Sequence, residues 1–268
     1  MRARPLSGRR VLITRPRDQA GRLAQLLEAY GAETVILPAI EILPPEDWAP
    51  LDEALRALDG FRWVIFTSVN GVAAFRERLG VAGLDARRVT DLRVAAIGPE
   101  TADAIRGAGI EPALVPAEYR AEGLVDALGS QVDPGDAVLV VRAAEARDVL
   151  PRALRARGVQ VTVVPAYRTV LAPESGGGVR ALLEARQIDA VTFTSSSTVR
   201  GFVALVGSTD VRCLLEGVVV AAIGPITAET AAEHGLAVSV MPHDYTVPAL
   251  AEAIAGHFET SPPVALRN

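Results

Sequence analysis

Two similar α/β domains, each a doubly wound parallel sheet, joined by a two-stranded linker and with the first domain discontinuous, are what the sequence predicts. Three observations predict it: a long internal repeat, an alternation of apolar runs with helical patterns, and the position of two proline-bounded extended stretches.

The repeat comes first, because a missed repeat misreads a fold. Val94-Ala-Ala-Ile-Gly-Pro-Glu-Thr-Ala102 returns as Val220-Ala-Ala-Ile-Gly-Pro-Ile-Thr-Ala228, so Gly98 matches Gly224 at an offset of 126. Pro116 and Tyr119 match Pro242 and Tyr245 at the same offset. Upstream, Ile65-Phe-Thr-Ser68 matches Thr192-Phe-Thr-Ser195 at 127, as do Val11, Leu12 and Arg15 with Val138, Leu139 and Arg142, and Pro38-Ala39 with Pro165-Ala166. Blocks in one order at nearly one offset mark a tandem duplication.

Within the first copy, Val11–Thr14 leads into a helix over Ala20–Tyr30, where Leu23, Leu26 and Leu27 share a face. Then follow Thr34–Leu37, a helix near Leu51–Leu58, Trp63–Thr67, a helix near Gly71–Leu79 and Arg93–Ile97. A helix over Glu100–Ala108, the run Pro112–Val115 and a helix near Ala121–Leu128 complete the copy. The apolar runs are continuous, as in parallel strands covered on both faces. Alternating β and α units of this kind make a doubly wound sheet.

The boundary between the copies, Gln131-Val-Asp-Pro-Gly-Asp136, is only a short helix-to-strand turn. Better linkers lie inside the copies, at Leu37–Pro45 and Val164–Pro173, the second running on into a Gly176–Gly178 stretch that reads as a flexible connection. The expected domains are therefore 1–38 plus 171–268 and 44–164, with linker strands 39–43 and 165–170. Two crossings would make a clamshell with a cleft.

Composition narrows the chemistry. A length of 268 residues suits about two domains at ~150 residues each. No apolar run approaches the ~18 residues of a membrane span, and Val11-Leu12-Ile13 is too short for a signal segment, so a soluble cytoplasmic protein is expected. The single cysteine, Cys213, excludes an internal disulfide and a cysteine metal cluster, and its apolar neighbours suggest a buried small side chain. His234, His243 and His257 lack ligand spacing, so no metal is expected. All 27 basic residues are arginine. The lack of lysine excludes Schiff-base chemistry and P-loop phosphate binding through lysine. A net charge of −5 and no basic block argue against nucleic-acid binding.

Ligands of open parallel sheets bind beyond the carboxyl ends of the strands, where helices begin. Those places are polar at six matched positions: Arg15, Ser68 with Asn70, Gly98-Pro99 with Thr101, Arg142, Ser195-Ser196-Ser197, and Gly224-Pro225 with Thr227. Free backbone N–H groups and the positive end of a helix dipole make each turn an anion receptor. Each also has an ordinary explanation. Gly-Pro is a routine helix start, and serine, asparagine and threonine cap helices anyway. Arg15 and Arg142 suit solvated strand ends as well as a cleft that binds carboxylates. Tyr167, in the second linker where the first has Ile40, either packs on the linker or projects its hydroxyl into the cleft. Tyr30, Tyr119 and Tyr245 read as structural or ligand-adjacent.

Val11-Leu-Ile-Thr-Arg-Pro16, the paired Phe-Thr-Ser turns, the Ala-Ile-Gly-Pro-x-Thr-Ala segments and Tyr167-Arg-Thr together resemble uroporphyrinogen-III synthase over nearly the whole chain. The resemblance implies a bilobal, cofactor-free monomeric lyase, compatible with transient contact with the preceding pathway enzyme. Its implied substrate is hydroxymethylbilane, an acidic linear tetrapyrrole with eight carboxylates. Loss of the terminal hydroxyl as water gives an azafulvene on ring A. Ring D attacks through its substituted carbon to form a spiro intermediate, then detaches and rejoins reversed. Unaided closure occurs without inversion and gives the type I isomer. The resemblance assigns hydroxyl departure to Tyr167 and maps substrate contacts onto Ser68, Thr101, Ser197 and Thr227. Ser196 stands where the family commonly has proline. A non-catalytic bilobal anion or tetrapyrrole sensor is the alternative, and a sugar-phosphate isomerase or transferase is a second.

Overall fold

Two parallel sheets carry the chain. The computed structural model describes residues 4–84, 89, 92–172, 176–207 and 211–260. In chain order the elements begin β1 (Arg10–Ile13), α1 (Arg17–Ala29), β2 (Glu33–Ile36), β3 (Ile40–Leu43), α2 (Ala49–Arg56), β4 (Trp63–Phe66) and α3 (Val69–Val81). They continue with β5 (Arg93–Ala96), α4 (Pro99–Gly107), α5 (Ala121–Leu128), β6 (Ala137–Ala143), α6 (Val149–Ala156) and β7 (Gln160–Leu171). The last are α7 (Gly176–Glu184), β8 (Ala190–Phe193), α8 (Ser196–Val206), α9 (Val211–Leu214), β9 (Val219–Ala222), α10 (Pro225–Glu233) and α11 (Val247–Thr260).

The chain divides into two compact units, residues 1–41 with 170–268 and residues 42–169. The first unit holds a sheet of order β2-β1-β8-β9, and the other sheet runs β3-β7-β6-β4-β5. Every pairing in the first sheet is parallel. So are β7–β6, β6–β4 and β4–β5 in the second.

Successive strand residues divide between two cores, which is why the apolar runs are unbroken. In the second sheet Val64, Phe66, Leu139 and Val141 join the core under α2, α3 and α4. Trp63, Ile65, Val138 and Val140 join the one under α5 and α6. In the first sheet Val11 and Ile13 face α1 and α11, and Leu12, Val191 and Phe193 face α7 and α8. Burying residues of this size stabilises each by roughly 1.5–3 kcal/mol.

The duplication is visible atom by atom. Val11 pairs with Ala190 in one sheet and Val138 with Trp63 in the other, the same register at offset 127. Phe66 meets Phe75 edge-on at 5.1 Å between ring centres, and Phe193 meets Phe202 in the same way at 5.3 Å. Each sheet therefore joins a leading strand of one copy to a later strand of the other. An ion pair marks both seams. Arg9 Nη1 lies 3.2 Å from Asp189 in the first unit, and Arg62 Nη1 lies 2.9 Å from Asp136 in the second. At offset 127 Arg9 matches Asp136 and Asp189 matches Arg62, so the two pairs are charge-reversed copies.

Three expectations need correction. Cys213 is exposed, because Val211 and Leu214, three apart on α9, take its buried face. Gly176–Gly178 opens α7 and is not a loose connection, since Val179 and Leu183 are both buried and anchor one helical face. Residues 173–175 of the second linker lie outside the described residues. Pro112–Val115 makes a single bridge, Ala95 with Leu114, in place of a strand. Proline on both sides, at Pro112 and Pro116, limits the N–H groups a ladder needs.

Two outcomes test this packing. Gly201 lies inside α8, where a Cβ would stand 2.8 Å from the Ala39 carbonyl oxygen and 2.6 Å from Ile40 Cγ2. Gly→Ala inside a helix ordinarily stabilises by about 0.5–1 kcal/mol, but Gly201→Ala is expected to lower Tm, with an overpacking penalty of about 1–3 kcal/mol. Asp136→Arg, facing Arg62, is expected to destabilise by between the ~1 kcal/mol of an exposed pair and the ~3–5 kcal/mol of a buried one. Adding Arg62→Asp restores the pair, and denaturant midpoints of the two variants check it.

Candidate functional site

In the second unit Tyr167 lies on the crossing strand, with Ser68 and Asn70 at the start of α3 among its neighbours. This residue lies in β7, just past a register shift opposite Arg142 and Ala143, where Ala143 pairs with Tyr167. The Tyr167 carbonyl accepts a hydrogen bond from Ala144 N–H at 2.9 Å. Its neighbours are held as well: Thr169 N–H donates to Glu145 Oε2 at 3.2 Å, and Arg168 Nε to the Pro44 carbonyl at 3.1 Å. The ring is half-buried and packs on the core that contains Phe66 and Phe75. Burial pushes its hydroxyl above the ordinary value of 10.0, hydrogen bonds with Ser68 and Asn70 pull it back, and the Glu145 carboxylate adds a further push upward.

Ser68 caps α3, its Oγ accepting Gly71 N–H at 3.1 Å. Asn70 follows in the first turn, so one helix start brings both side chains to the Tyr167 hydroxyl. Thr67 N–H reaches the Val141 carbonyl at 3.4 Å, holding this turn beside β6. Gly98 caps α4 in extended backbone (φ −171°) that any residue can adopt. Its lack of a side chain matters for another reason: a Cβ there would stand 3.2 Å from Tyr119 Cβ and 3.3 Å from Cγ. Thr101 is buried in the first turn of α4, close to N–H groups that have no acceptor within the helix.

Arg142 is directed into its own loop. Its Nη2 lies 2.7 Å from Asp148, and Nη1 donates to the Arg147 carbonyl at 3.0 Å. With 13 % of its side chain exposed, it braces the 144–148 segment that carries Glu145.

The first unit repeats the turns with different side chains. Arg15 is half-buried just beyond β1. Ser195 caps α8 in a reciprocal pair: its Oγ accepts Thr198 N–H and Thr198 Oγ1 accepts Ser195 N–H, both at 3.2 Å. Ser196 occupies the first helical position, where its Oγ meets Thr230 Oγ1 at 2.7 Å and ties α8 to α10. Ser197 is half-buried in the same turn. Gly224 caps α10, and a Cβ there would stand 3.1 Å from Tyr245 Cγ. Thr227 is buried in the first turn, as Thr101 is in α4.

The structure thus gathers Tyr167, Ser68 and Asn70 into one cluster, while Arg142 and Ser196 engage neighbours in their own units. Sequence reasoning missed Glu145, whose position depends on the β6–β7 register shift. It also left open the tyrosines stacked on the Gly-Pro turns, although their shared offset was the available signal. Among the described residues no group of three or more His, Cys, Asp or Glu is placed to hold a metal ion, and no helix is long and apolar enough to cross a membrane.

The family model described as Uroporphyrinogen-III synthase HemD matches residues 21–252. The chain belongs to the uroporphyrinogen-III synthase family. Among its relatives, the uroporphyrinogen-III synthase of Synechococcus elongatus is 34 % identical over 258 residues, covering 95 % of this chain and 97 % of that one. The uroporphyrinogen-III synthase of Chlorobaculum parvum is 30 % identical over 248 residues, covering 91 % and 97 %. Among solved structures, a mutant uroporphyrinogen III synthase of Thermus thermophilus superposes with a TM-score of 0.70 over 94 % of this chain and all of that one. At 20 % identity that likeness is one of fold. Neither the sensor nor the sugar-phosphate alternative gains support from this uroporphyrinogen-III synthase kinship.

Capping and ligand binding by Ser195 separate in a paired substitution. Ser195→Ala is expected to lose about 0.5–2 kcal/mol of stability, whereas Ser195→Gly costs only a few tenths. If the hydroxyl also holds a ligand anion, the glycine variant keeps its Tm and loses affinity.

Proposed function

We propose that this chain closes hydroxymethylbilane into uroporphyrinogen III with inversion of ring D and loss of water, and that Tyr167 supplies the proton to the departing hydroxyl. The observation that supports the reading is the place of Tyr167, on the crossing strand β7 with its ring packed on the core of the second unit in a chain of the uroporphyrinogen-III synthase family. On this reading the phenol proton passes to the terminal hydroxyl oxygen, which leaves as water while the ring A pyrrole becomes the electrophile. The carbon of ring D that finally closes the macrocycle releases a proton, and that proton restores the phenol.

Anionic side chains of the substrate are met by helix starts and by hydroxyl donors such as Thr101, with Ser197 and Thr227 as their counterparts in the first unit. Micromolar affinity requires about 8 kcal/mol. Helix-terminus contacts supply roughly 0.3–1 kcal/mol each, and hydrogen bonds to charged groups roughly 1.5–3. A handful of such contacts suffices after ordering costs. The reading includes a cytoplasmic monomer.

Purified protein incubated with hydroxymethylbilane, with the product isomers separated, tests the activity. Type III uroporphyrinogen is expected; type I alone would overturn the reading. Tyr167→Phe is expected to lower turnover without abolishing it, within the ~10²–10⁴-fold range of general acid catalysis, and an unchanged rate removes Tyr167 from the mechanism. Because the folded hydroxyl titrates above its ordinary value, it stays protonated through neutral pH. The Tyr167-dependent part of the rate should hold from neutral pH until the pH passes about 10, then fall as the phenol ionises.

A further inference from the structure

We propose that Tyr119, together with Val69, determines specificity in the known reaction: its ring is a platform on which one pyrrole of the substrate stacks while a carboxylate of that pyrrole enters the start of α4. The inference rests on the reading of this chain as an enzyme that folds an acidic linear tetrapyrrole. It adds a surface for the rings to the receptors already described for the carboxylates.

Three observations carry it. The first is register. Phe66 is level with Ala96 on one side and with Val141 on the other. Two residues further along stand Ser68, Gly98 and Ala143, and Ala143 pairs with Tyr167. The caps of α3 and α4 and the tyrosine of the crossing strand therefore share one level at the carboxyl end of a single sheet. Val69 opens α3, and Tyr119 lies against Gly98, the cap of α4. Neighbouring strands are roughly 4.8 Å apart, so these two side chains belong to adjoining helix starts.

The second is exposure combined with firm support. Among the described residues of the second unit, the exposed large apolar side chains are Val69 and Tyr119, each 42 % exposed, and Val81 at the far end of α3. A Cβ on Gly98 would stand 3.2 Å from Tyr119 Cβ, and a Cβ on Gly123 of α5 would collide with the Glu118 carbonyl oxygen. That carbonyl accepts Arg120 N–H at 2.8 Å, and Arg120 Nη2 lies 2.6 Å from the Glu118 carboxylate. Two glycines thus let the 118–120 segment settle against both helices and hold the tyrosine in place. A held aromatic ring offers flat contact area at little entropic cost. In the first turn of α4, Thr101 is only 5 % exposed, and its hydroxyl has no hydrogen-bond partner among the described residues. A pyrrole that carries carboxylates matches both features: its ring suits the tyrosine, and its anion suits the helix start.

The third is the internal control provided by the duplication. At offset 126, Tyr119 and Gly98 match Tyr245 and Gly224, but Gly123 matches Ala249. At offset 127, Val69 matches Ser196, which is drawn into its bond with Thr230. The first unit therefore starts its helix without an apolar side chain at that place. A valine left in water does nothing for the fold. The unit that keeps it, along with the second glycine, is the unit that carries Tyr167.

The test separates KM from kcat and adds a spectroscopic signature. Tyr119→Ala is expected to raise KM for hydroxymethylbilane about tenfold, the upper end of what one aromatic pair contributes beyond its buried area, with kcat nearly unchanged. Tyr119→Phe, which keeps the ring, should recover the wild-type KM. An unchanged KM in Tyr119→Ala, or a loss that Tyr119→Phe shares, overturns the proposal. Tyr119→Leu guards against a folding defect, because it keeps apolar cover over Gly98 without a ring; its KM should still rise, and a wild-type value would overturn the stacking. Independently of turnover, a single pyrrole bearing one acetate and one propionate is titrated into the protein and followed by proton NMR. Its ring proton should move upfield in wild type and in Tyr119→Phe, through the ring current of the stacked side chain, and move less in Tyr119→Leu. No upfield shift in wild type, or an equal one in Tyr119→Leu, also overturns the proposal. Should the wild type yield type I uroporphyrinogen alone, the functional reading fails while the titration still reports on Tyr119.

Discussion

The pairing of strands across the two copies is the constraint on which the rest of this structure depends. β1 lies against β8 and β6 against β4, so neither sheet is completed by one copy alone. A duplicated sequence could in principle pair each copy with itself, because matching strands have matching apolar faces. The charges at the seams discriminate. Exchange sets Arg9 against Asp189 and Arg62 against Asp136. Pairing within each copy would set Arg9 against Arg62 and Asp136 against Asp189. With Asp189 and Asp136 only 13 % and 11 % exposed, those like-charge contacts would be poorly screened and strongly unfavourable. Hydrophobic pattern makes the sheets, and a reversed ion pair selects how they are shared.

Exchange also explains why two related units carry unequal chemistry. Once the copies are permanently joined, each position of a matched pair is free to diverge. In the second unit the crossing strand carries Tyr167 and the first turn of α3 carries Asn70. In the first, the matched residue is Ile40, which lies against Gly201 of α8. Its helix start uses Ser196 to reach Thr230, where the second unit has Val69 and Ala104. The first unit's helix start thus fastens two helices together. The Gly-Pro turns did not diverge, and both still carry a tyrosine pressed against a glycine.

What could be read in advance follows the range of the interactions concerned. The parallel sheets, the helix starts and the duplication rest on local pattern and on comparison of the chain with itself, and all were legible. Cys213 was misread because apolar neighbours say little about which face of a one-turn helix a residue takes. Gly176–Gly178 was misread because glycine disfavours helix on its own, while Val179 and Leu183 decide the matter through burial. Glu145 was invisible for a different reason. It meets the Tyr167 region beyond a local register shift between β6 and β7, a bulge-like irregularity confined to one pair of residues that the apolar runs around it do not locate. Arg142 was legible as a charge at a strand end, yet its direction depends on Asp148, six residues away in a loop whose path the pattern does not define.

On the proposed reading, a site built from caps, backbone N–H groups and one phenol suits a reaction whose difficulty is conformational. The substrate supplies its own leaving group, electrophile and nucleophile, and left alone it closes without inversion. Selecting the inverted product requires that one folded arrangement of the chain be favoured over its competitors, and each tenfold preference needs about 1.4 kcal/mol. Two hydrogen bonds to carboxylates, at roughly 1.5–3 kcal/mol each, supply a preference of a hundredfold or more if they form in only one arrangement. On that reading the proton from Tyr167 must then arrive at that arrangement and no other. An untethered hydroxyl would protonate the leaving group in whatever pose presented it, and early loss of water would release a reactive azafulvene before ring D was in place. On that reading, a proton donor held on the crossing strand serves selectivity as much as rate: it couples departure of the hydroxyl to the pose that the helix starts hold.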